Sequence, residues 1–325
     1  MPLENPEILH SVTAGPKTVH LGHFSSELKP VLVINSGGIV EIETFGALSP
    51  EEYEAAGVAP HLIPQALRDI FREVKDKGPG PHTLTGPIFI KDAKPGDMLE
   101  VHIKDVKLMK PYGYNRILYG MGTLPEDFPY NSTSLLRLDI HKMTSEIAPG
   151  VFVPLRPFFG TMGVAPPPDM GRVSSLPPGI HGGNLDNKEL IPGTILYLPV
   201  HVKGALFSVG DAHAAQGDGE VNLTGLETTA KGTFQFFVHK NRRIQWPRAE
   251  TPTHFILMGF NQDLDVAVQM ATREVINFLG ETKGLSREDA YRTASLAADL
   301  RVTQVVDGVK GIHALIPKTI FLGAK

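Results

Sequence analysis

The sequence contains no cysteine among its 325 residues. This absence excludes disulfide bonds, thiolate metal ligands and a cysteine nucleophile. Any metal ion would therefore need ligands from histidine, aspartate, glutamate or carbonyl oxygen. The chain also lacks a Gly-x-Ser-x-Gly pattern, which argues against a serine hydrolase built on a nucleophile elbow.

The sequence has no excess of basic charge and no long hydrophobic run. It carries 31 Lys and Arg against 35 Asp and Glu, a net charge of −4, which gives no electrostatic footprint for nucleic acid. The most apolar stretch, 195–209, is interrupted by His201 and Lys203 and is too short to span a bilayer. The segment Met1–Glu7 lacks the basic and apolar regions of a secretion signal. We expect a soluble cytoplasmic protein without nucleic-acid or membrane partners.

Glycine and proline are abundant instead, with 33 and 27 residues spread along the chain. This composition favours many turns and short strands over a helical bundle or a doubly wound sheet. Polar and apolar residues alternate in 39–45, 98–106 and 232–239, as in half-buried strands. The predicted fold class is mainly β with α additions (α+β), with a β-sandwich or barrel-like core and C-terminal helices packed on it.

The helical patterns are confined to two parts of the chain. Residues 1–250 are predicted to form the β-rich core that carries the active site, with a helical insertion near 49–76. In that insertion Ser49 is a suitable N-cap and Pro50 a suitable first helical residue. Residues 251–325 are predicted to form an α/β C-terminal part packed on the core, where Ser286 begins a helix.

Two turn-rich segments are predicted to form loops or turns. Residues 111–130 combine Gly, Tyr and Pro and are read as a loop. Asp97 follows a Pro-Gly pair and is interpreted as an acid that stabilises a turn.

The densest group of reactive side chains lies in the segment 209–227. Within ten residues it has three acids, a histidine and a carboxamide, and a further acid follows: Asp211, His213, Gln216, Asp218, Glu220 and Glu227. Because the preceding stretch, 195–202, is apolar and expected to be buried, these polar groups need partners or a metal. The segment is therefore the predicted location of the chemistry.

The segment is interpreted as a β-hairpin, and its register stays open. Alternation places Phe207, Val209, Asp211 and His213 on one strand face. A two-residue turn at Asp218-Gly219 would pair His213 with Thr224 and bring Glu220 to that face. A three-residue loop, 217–219, would remove Glu220 from that face and bring Glu227 to it.

A second group of polar residues ends a long Pro- and Gly-rich segment. His181-Gly-Gly-Asn184-Leu-Asp186 supplies an imidazole, a carboxamide and a carboxylate beside two glycines. Glycines let a ligand approach the backbone closely, and their amides can form an oxyanion hole. A further histidine, His82, follows a rigid Gly-Pro-Gly-Pro loop.

Taken together, these motifs resemble the acetamidase/formamidase family. The resemblance is carried by Thr83-Leu-Thr-Gly-Pro-Ile, Pro177–Asp186, Leu198–Val221 and Glu227, in the family's order and over most of the chain. It implies a predominantly β fold and the hydrolysis of small aliphatic amides such as formamide and acetamide to carboxylate and ammonia. It also implies a homo-oligomer, a dimer or larger, and a bound divalent metal.

Amide hydrolysis needs a nucleophile, a group that stabilises the oxyanion and an acid for the leaving nitrogen. Without cysteine, a metal-activated water is the simplest nucleophile. We expect zinc as the ion, while oxygen ligands such as Asp218 and Glu220 could instead hold calcium. The expected metal ligands come from Asp211, His213, His181 and His82. The expected catalytic groups are Glu220 or Glu227 as general base and acid, Asn184 for the carbonyl oxygen and Gln216 for the substrate amide.

Two other functions fit the same residues less well. A metal-dependent lyase or isomerase on a similar β scaffold could use the same ligands. A small-molecule or metal-binding module without catalysis is the other alternative. Ammonia release from a simple amide would separate an amidase from both.

Overall fold

The computed structural model describes residues 9–321. Residues 1–8, on which the absence of a secretion signal was argued, lie outside this range, as do 322–325. Four α-helices are present in the described part: α1 (Pro50–Ala55), α2 (Gln65–Glu73), α3 (Leu264–Lys283) and α4 (Arg287–Ala297). Three 3₁₀ turns accompany them: Pro60–Leu62, Pro168–Met170 and Lys318–Ile320.

Short strands make up most of the remaining ordered structure. Those of the first half are β1 (Leu9–Val12), β2 (Val19–Leu21), β3 (His23–Phe24), β4 (Leu32–Ile34), β5 (Ile39–Glu43), β6 (Thr83–Ile90), β7 (Met98–Leu108), β8 (Tyr112–Ile117), β9 (Ser132–Asp139), β10 (Thr144–Ala148) and β11 (Val151–Pro154). Those of the second half are β12 (Phe158–Gly163), β13 (Val173–Ser174), β14 (Pro178–Gly179), β15 (Gly182–Asn184), β16 (Ile195–Pro199), β17 (Phe207–Ala215), β18 (Leu226–Thr228), β19 (Ala230–His239), β20 (Arg248–Glu250), β21 (His254–Asn261), β22 (Asp299–Gln304) and β23 (Lys310–Pro317).

The strands form two large sheets. One has nine strands in the order β1-β5-β19-β7-β16-β20-β21-β23-β22. The other has twelve strands, with the order β11-β10-β9-β8-β18-β17-β12-β15-β14 and with β6 joining β17 to β2 and β4. A small third sheet pairs β13 with β3. Strand β17, which carries Asp211 and His213, lies in the interior of the second sheet between β12 and β18.

The main hydrophobic core lies between the two large sheets. Phe234 and Phe236 of the first sheet meet Phe159 and Phe207 of the second, with ring centroids 5.6 Å apart for Phe159 and Phe234. Aromatic pairs of this kind add to the burial of apolar area. This sandwich holds β12 and β17 rigidly from behind, so that their other face can carry polar groups.

A smaller core joins the helical segment to the second sheet. Ser49 caps α1 and forms a capping box with Glu52, which confirms the predicted helix start. Leu67 and Ile70 of α2 pack with Tyr53 of α1 and with Tyr114 of β8. The helices therefore support β8 beside the acid-rich segment.

The predicted fold class is confirmed: the protein is mainly β, with a two-sheet core and C-terminal helices. Strands β21 to β23 continue the nine-stranded sheet beyond β20, and α3 packs on them through Ala267, Ala271 and Val275. Within the described residues, no helix combines the length and the apolar character needed to cross a membrane.

Two predictions about the extent of strands and turns are wrong. Residues 112–117, read as part of a loop, form strand β8, paired with β9 over six residues. The high β propensity of tyrosine outweighs the nearby glycine and proline residues. The tight hairpin at Asp218-Gly219 is also absent, because the connection between β17 and β18 runs from 216 to 225.

Candidate active site

A cavity of about 410 Å³ opens on the outer face of β17. Histidines, acids and one asparagine from widely separated parts of the chain line it: His82, Asn184, Asp186, Asp211, His213, Glu220, Glu227 and Asp307. Each of these side chains is more than nine-tenths buried. Ionisable groups so far from water need compensation from one another or from a bound ion.

The alternation of side chains between the two faces of β17 is interrupted at Asp211, and this interruption directs polar residues into the cavity. Phe207, Val209 and Ala212 all lie in the sandwich core, whereas Asp211 and His213 face the cavity. Strict alternation predicted one common face for Phe207, Val209, Asp211 and His213, and this prediction is wrong. The backbone of Asp211 has φ = 57°, and this left-handed residue reverses which side chains point inward.

The acid that pairs with His213 across the sheet is Glu227. The register is His213 opposite Glu227, with a shift between His213 and Ala215, so neither predicted hairpin register occurs. The loop 216–225 instead docks on the C-terminal strands: Gly219 N donates to Thr303 O at 3.1 Å. This docking places Glu220 in the cavity and brings in Asp307 from the turn after β22.

The His213 ring is fixed by two neighbours. Its Nδ1 lies 2.8 Å from Gln216 Oε1, and Gln216 Nε2 in turn donates to the carbonyl oxygen of Asp186 at 2.8 Å. Since an amide oxygen only accepts, Nδ1 carries a proton, and Nε2 faces the cavity. Phe158 packs edge-on against the ring, with centroids 5.1 Å apart.

His82 is oriented in the same way. Its Nδ1 lies 3.0 Å from the carbonyl oxygen of Ser175, so Nδ1 is the protonated nitrogen. Its Nε2 lies 3.7 Å from Asp211 Oδ2. Two imidazoles, each with its Nδ1 hydrogen-bonded at the rear, therefore direct their Nε2 atoms towards carboxylates.

The carboxylates crowd around the free nitrogen of His213. Glu227 Oε1 lies 3.1 Å from Nε2, Asp211 Oδ2 3.4 Å and Asp186 Oδ1 3.9 Å. Gly160 of β12 forms the floor beneath them. A Cβ at Gly160 would lie 2.3 Å from Asp186 Oδ1 and 2.5 Å from Asp211 Oδ2, so only glycine leaves room for this approach.

The pKa values of these acids are driven apart. Burial works to raise the pKa of Asp211, but the charges of His82 and His213 outweigh it and hold the pKa below its ordinary value. Burial raises the pKa of Glu227 to about 7, against the opposing attraction of His213. Burial and the charge of Asp186 raise the pKa of Glu220 well above its ordinary value. Such divergence among neighbouring carboxyl groups is typical of catalytic sites.

The arrangement fits a divalent metal ion. A neutral His213 would direct a lone pair at carboxylate oxygens that also only accept, so a proton or a cation has to lie between them. Asp211, His213 and Glu227 offer ligand atoms within 4.8 Å of one another, and so do Asp186, His213 and Glu220. Two ligands of tetrahedral zinc, each about 2.0–2.1 Å from the ion, lie about 3.3 Å apart. The separations of His213 from Asp211 and Glu227 are close to this value.

Three of the same acids have left-handed backbone conformations. Asp186, Asp211 and Glu220 have φ values of 44°, 57° and 46°, in a region that costs energy for residues other than glycine. Strain of this kind persists where the surrounding structure requires it, commonly at functional sites. The fold therefore holds three separate acids in unfavourable conformations that bring them into one cavity.

Asn184 lies at the side of the cavity in a network of its own. Its Oδ1 accepts from Thr161 Oγ1 at 2.6 Å, and its Nδ2 donates to Asp307 Oδ2 at 3.2 Å. One of the two amide protons is thereby used, and the second remains for a ligand. The amides of Gly182 and Gly183, the alternative oxyanion donors, belong to β15, which pairs with strands on both sides.

Two of the predicted residues lie apart from the cluster. His181 is buried against Phe24, with ring centroids 5.0 Å apart, and is not among the residues that line the cavity. Burial lowers its pKa to about 4, which suits a neutral core histidine. Asp218 forms an ion pair with Lys188 at 3.0 Å. The structure therefore brings together Asp211, His213, His82, Asn184, Glu220 and Glu227, with Gln216 behind His213.

Several residues of the cluster escaped the sequence analysis as functional residues. Asp186 was noted without a role, and Asp307, Thr161, Ser175 and Gly160 were missed. Asp307 stands in a Val-Val-Asp-Gly turn that looks like any other. Only the docking of the 216–225 loop on β22 makes that turn part of the site.

Comparison with known proteins agrees with this geometry. The sequence model of the acetamidase/formamidase family matches residues 74–175 and 170–322. These ranges include every ionisable residue of the cluster. They cover well over half of the chain, which is enough to establish membership.

Individual relatives carry the same names. The chain is similar to a putative formamidase of Schizosaccharomyces pombe, 30% identical over 49% of this chain and 52% of the relative. It is similar to a formamidase of Methylophilus methylotrophus, 31% identical over 44% of this chain and 48% of the relative. The chain thus spans about half the length of the curated relatives it matches. The crystal structure of an acetamidase from Bacillus halodurans is 32% identical, covers 98% of this chain and 100% of its own, and superposes with a TM-score of 0.81.

Proposed function

Because this chain belongs to the acetamidase/formamidase family, we propose that it hydrolyses the C–N bond of linear amides to a carboxylate and ammonia. The observation that carries the proposal is the buried cluster in which His213 Nε2 faces Asp211, Glu227 and Asp186 within 3.9 Å. The names of the relatives favour amide hydrolysis over a lyase, an isomerase or a binding module. We also propose a homo-oligomer, as the family resemblance implies, which light scattering would test.

The proposed metal ligands are Asp211, His213 and Glu227, with His82 beside Asp211. Zinc is the proposed ion because three ligands of these types leave one position open, as in catalytic zinc sites. When bound, such an ion supplies the Lewis-acid activation that an unreactive amide needs. Gln216 and Ser175 hold the two imidazoles in the tautomer that a metal requires.

The proton transfers are assigned to Glu220. Its side chain is buried in the cavity, and its Oε2 has no hydrogen-bond partner in the range 9–321. Glu227, the alternative base, lies 3.1 Å from His213 Nε2 and is therefore assigned to the metal group. Glu220 would take the proton of the attacking water and return it to the leaving nitrogen. Asn184 Nδ2 would donate its second proton to the carbonyl oxygen as negative charge develops there.

Ammonia release from formamide, acetamide and propionamide tests this function. The rate is measured before and after complete removal of metal by a chelator, and after zinc or calcium is added back. We expect activity to be lost on chelation and restored by zinc, with metal content followed by mass spectrometry. Full activity in metal-free protein would exclude the metal assignment, and no ammonia from any amide would exclude the amidase assignment.

Gly160→Ala tests the metal site without relying on turnover. The added methyl group would clash with Asp186 Oδ1 and Asp211 Oδ2. Since Gly160 has an ordinary backbone conformation, the change acts through space alone. We expect bound zinc to fall at least tenfold, with little change in circular dichroism. Unaltered zinc content would place the ion elsewhere.

A further inference from the structure

The cavity is much larger than the smallest amides require. Acetamide has four non-hydrogen atoms and would occupy roughly 120 Å³ at about 30 Å³ for each water-sized group. The cavity measures about 410 Å³, which lies in the range of sites that hold larger organic ligands. Its ionisable groups contact one another in one place, so the remaining space is lined by other residues.

Those other residues are largely apolar and come from separate segments. Leu118 and Met121 follow β8, Leu176 lies between β13 and β14, and Leu223 belongs to the 216–225 loop. Ala47, between β5 and α1, completes the wall with Pro79 and Pro81. The cation Arg116 also lines the cavity, and its guanidinium group forms an ion pair with Glu52 at 3.2 Å. The wall therefore offers hydrophobic contact.

Leu223 shows that this wall is held in place at an energetic cost. Its backbone has φ = 97°, a conformation that a large side chain rarely adopts. A glycine there would relieve the strain but would leave part of the wall open. The docked loop keeps a leucine in this position beside Glu220, which is itself left-handed. Strain at a ligand-lining residue points to a role in binding.

We propose that the substrate is an amide with an apolar acyl group longer than acetyl, seated along Ala47, Leu176 and Leu223. This inference rests on the proposed amidase function and specifies its substrate class. Carbons of the chain would leave water for this wall while the amide group lies at the cluster. Binding of parts of the substrate remote from the reacting bond raises kcat/KM.

The test is kcat/KM for ammonia release from formamide, acetamide, butyramide and hexanamide with the metal-loaded enzyme. Each buried methylene is worth about fourfold in kcat/KM, and hexanamide has four more methylenes than acetamide, so its kcat/KM should exceed that of acetamide by roughly 250-fold. The variant Ala47→Phe fills the cavity and should lower kcat/KM for hexanamide at least tenfold, while acetamide changes by less than about threefold. Leu176→Phe serves as a second cavity-filling variant. Ala55→Phe, the same change at an exposed position of α1, is the matched control and should leave the series unchanged.

The possible outcomes distinguish a failure of the long-acyl proposal from a failure of the proposed amidase function. A kcat/KM that stays level or falls beyond acetamide would overturn the long-acyl proposal and leave the amidase in place. Equal losses on acetamide and hexanamide in both cavity-filling variants would also overturn it, because the wall would then not contact the chain. If no amide released ammonia, the amidase function itself would fail, and the substrate class with it.

Discussion

Asp97 and Asp186 are two buried carboxylates with opposite surroundings. They are 3% and 1% exposed. Asp97 accepts hydrogen bonds from the backbone N–H groups of Lys94 and Asn241, at 2.9 and 3.0 Å, and pairs with Lys240. Asp186 Oδ1 has no hydrogen-bond partner in the part of the chain that the structure describes, and it faces Asp211 and His213. A carboxylate surrounded by donors stabilises the fold, whereas one surrounded by acceptors destabilises the protein unless a cation joins it.

The sequence indicated a structural role for Asp97 but assigned no role to Asp186. The interpretation of Asp97 as a turn-stabilising acid is confirmed by the Lys94 hydrogen bond. The comparison predicts that substitutions in the acid cluster reduce activity and spare stability, while substitution of Asp97 does the reverse. Substitutions at the two glutamates, at Gln216 and at Asp97 test it, in order of decreasing expected effect.

The largest effect is expected from neutralising the two glutamates of the cluster, one at a time. Glu220→Gln should lower kcat by roughly 10²–10⁴ while keeping bound metal, since it removes only the proton carrier. Glu227→Gln should lose metal as well as activity. Compared in metal-free protein, Glu220→Gln should melt no lower than the parent, because the buried Glu220 Oε2 has no hydrogen-bond partner to lose within residues 9–321. Kinetics, metal analysis and thermal unfolding are measured on the same preparations.

This pair of variants also decides between the two roles. If Glu220→Gln lost its metal and Glu227→Gln kept it, the assignments would have to be exchanged. If turnover survived in both, the acid–base role would belong to another residue.

A smaller effect is expected from Gln216, which acts through His213. Gln216→Leu removes the acceptor for Nδ1 and should weaken zinc affinity about 10–100-fold, as is usual when the residue that orients a ligand is lost. Gln216→Glu retains an acceptor oxygen and should recover most of the affinity. The measurement is competition against a chromophoric chelator. Equal affinities for the leucine variant and the parent would show that Gln216 does not orient the ring.

The smallest effect on activity is expected from Asp97→Asn. Replacing one carboxylate oxygen by an NH₂ group breaks a hydrogen bond to a charged or backbone donor and should cost about 1.5–3 kcal/mol of unfolding free energy. Activity per folded molecule should stay unchanged. Denaturant unfolding and turnover measure the two quantities, and a loss of turnover at full stability would contradict the structural role of Asp97.

The same substitution has a pH dependence of known sign. Burial works to raise the pKa of Asp97, but hydrogen bonds from Lys240 and from the Asn241 and Lys94 amides bring the pKa below its ordinary value. A carboxyl group with a lowered folded-state pKa stabilises the protein fully above its unfolded pKa of about 3.9, and this contribution is lost as the pH falls through the folded value. Asp97→Asn should therefore differ most from the parent above about pH 4 and least in stronger acid.

Local patterns predicted the parts of the fold that depend on neighbours in sequence. The capping box at Ser49 and the turn at Asp97 involve residues three apart, so their hydrogen bonds follow from spacing. The side chains that β17 directs into the cavity could not be predicted from spacing, since Asp211 has a left-handed backbone that breaks the alternation of the strand. Strand β8 was missed because its pairing with β9 is set by residues 15 or more positions away.

The sequence by itself determined the β-rich class, the exclusion of cysteine chemistry and the identity of most groups in the site. It did so because composition, alternation and the acid-rich motif are properties of the chain order. Only the tertiary structure decided that Asp186, Asp307 and Gly160 join the site, that His181 packs with the core, and that Gln216 orients His213. These outcomes depend on which segments the sandwich brings together, and a contact such as that between Asn184 and Asp307, 123 positions apart, leaves no local signature.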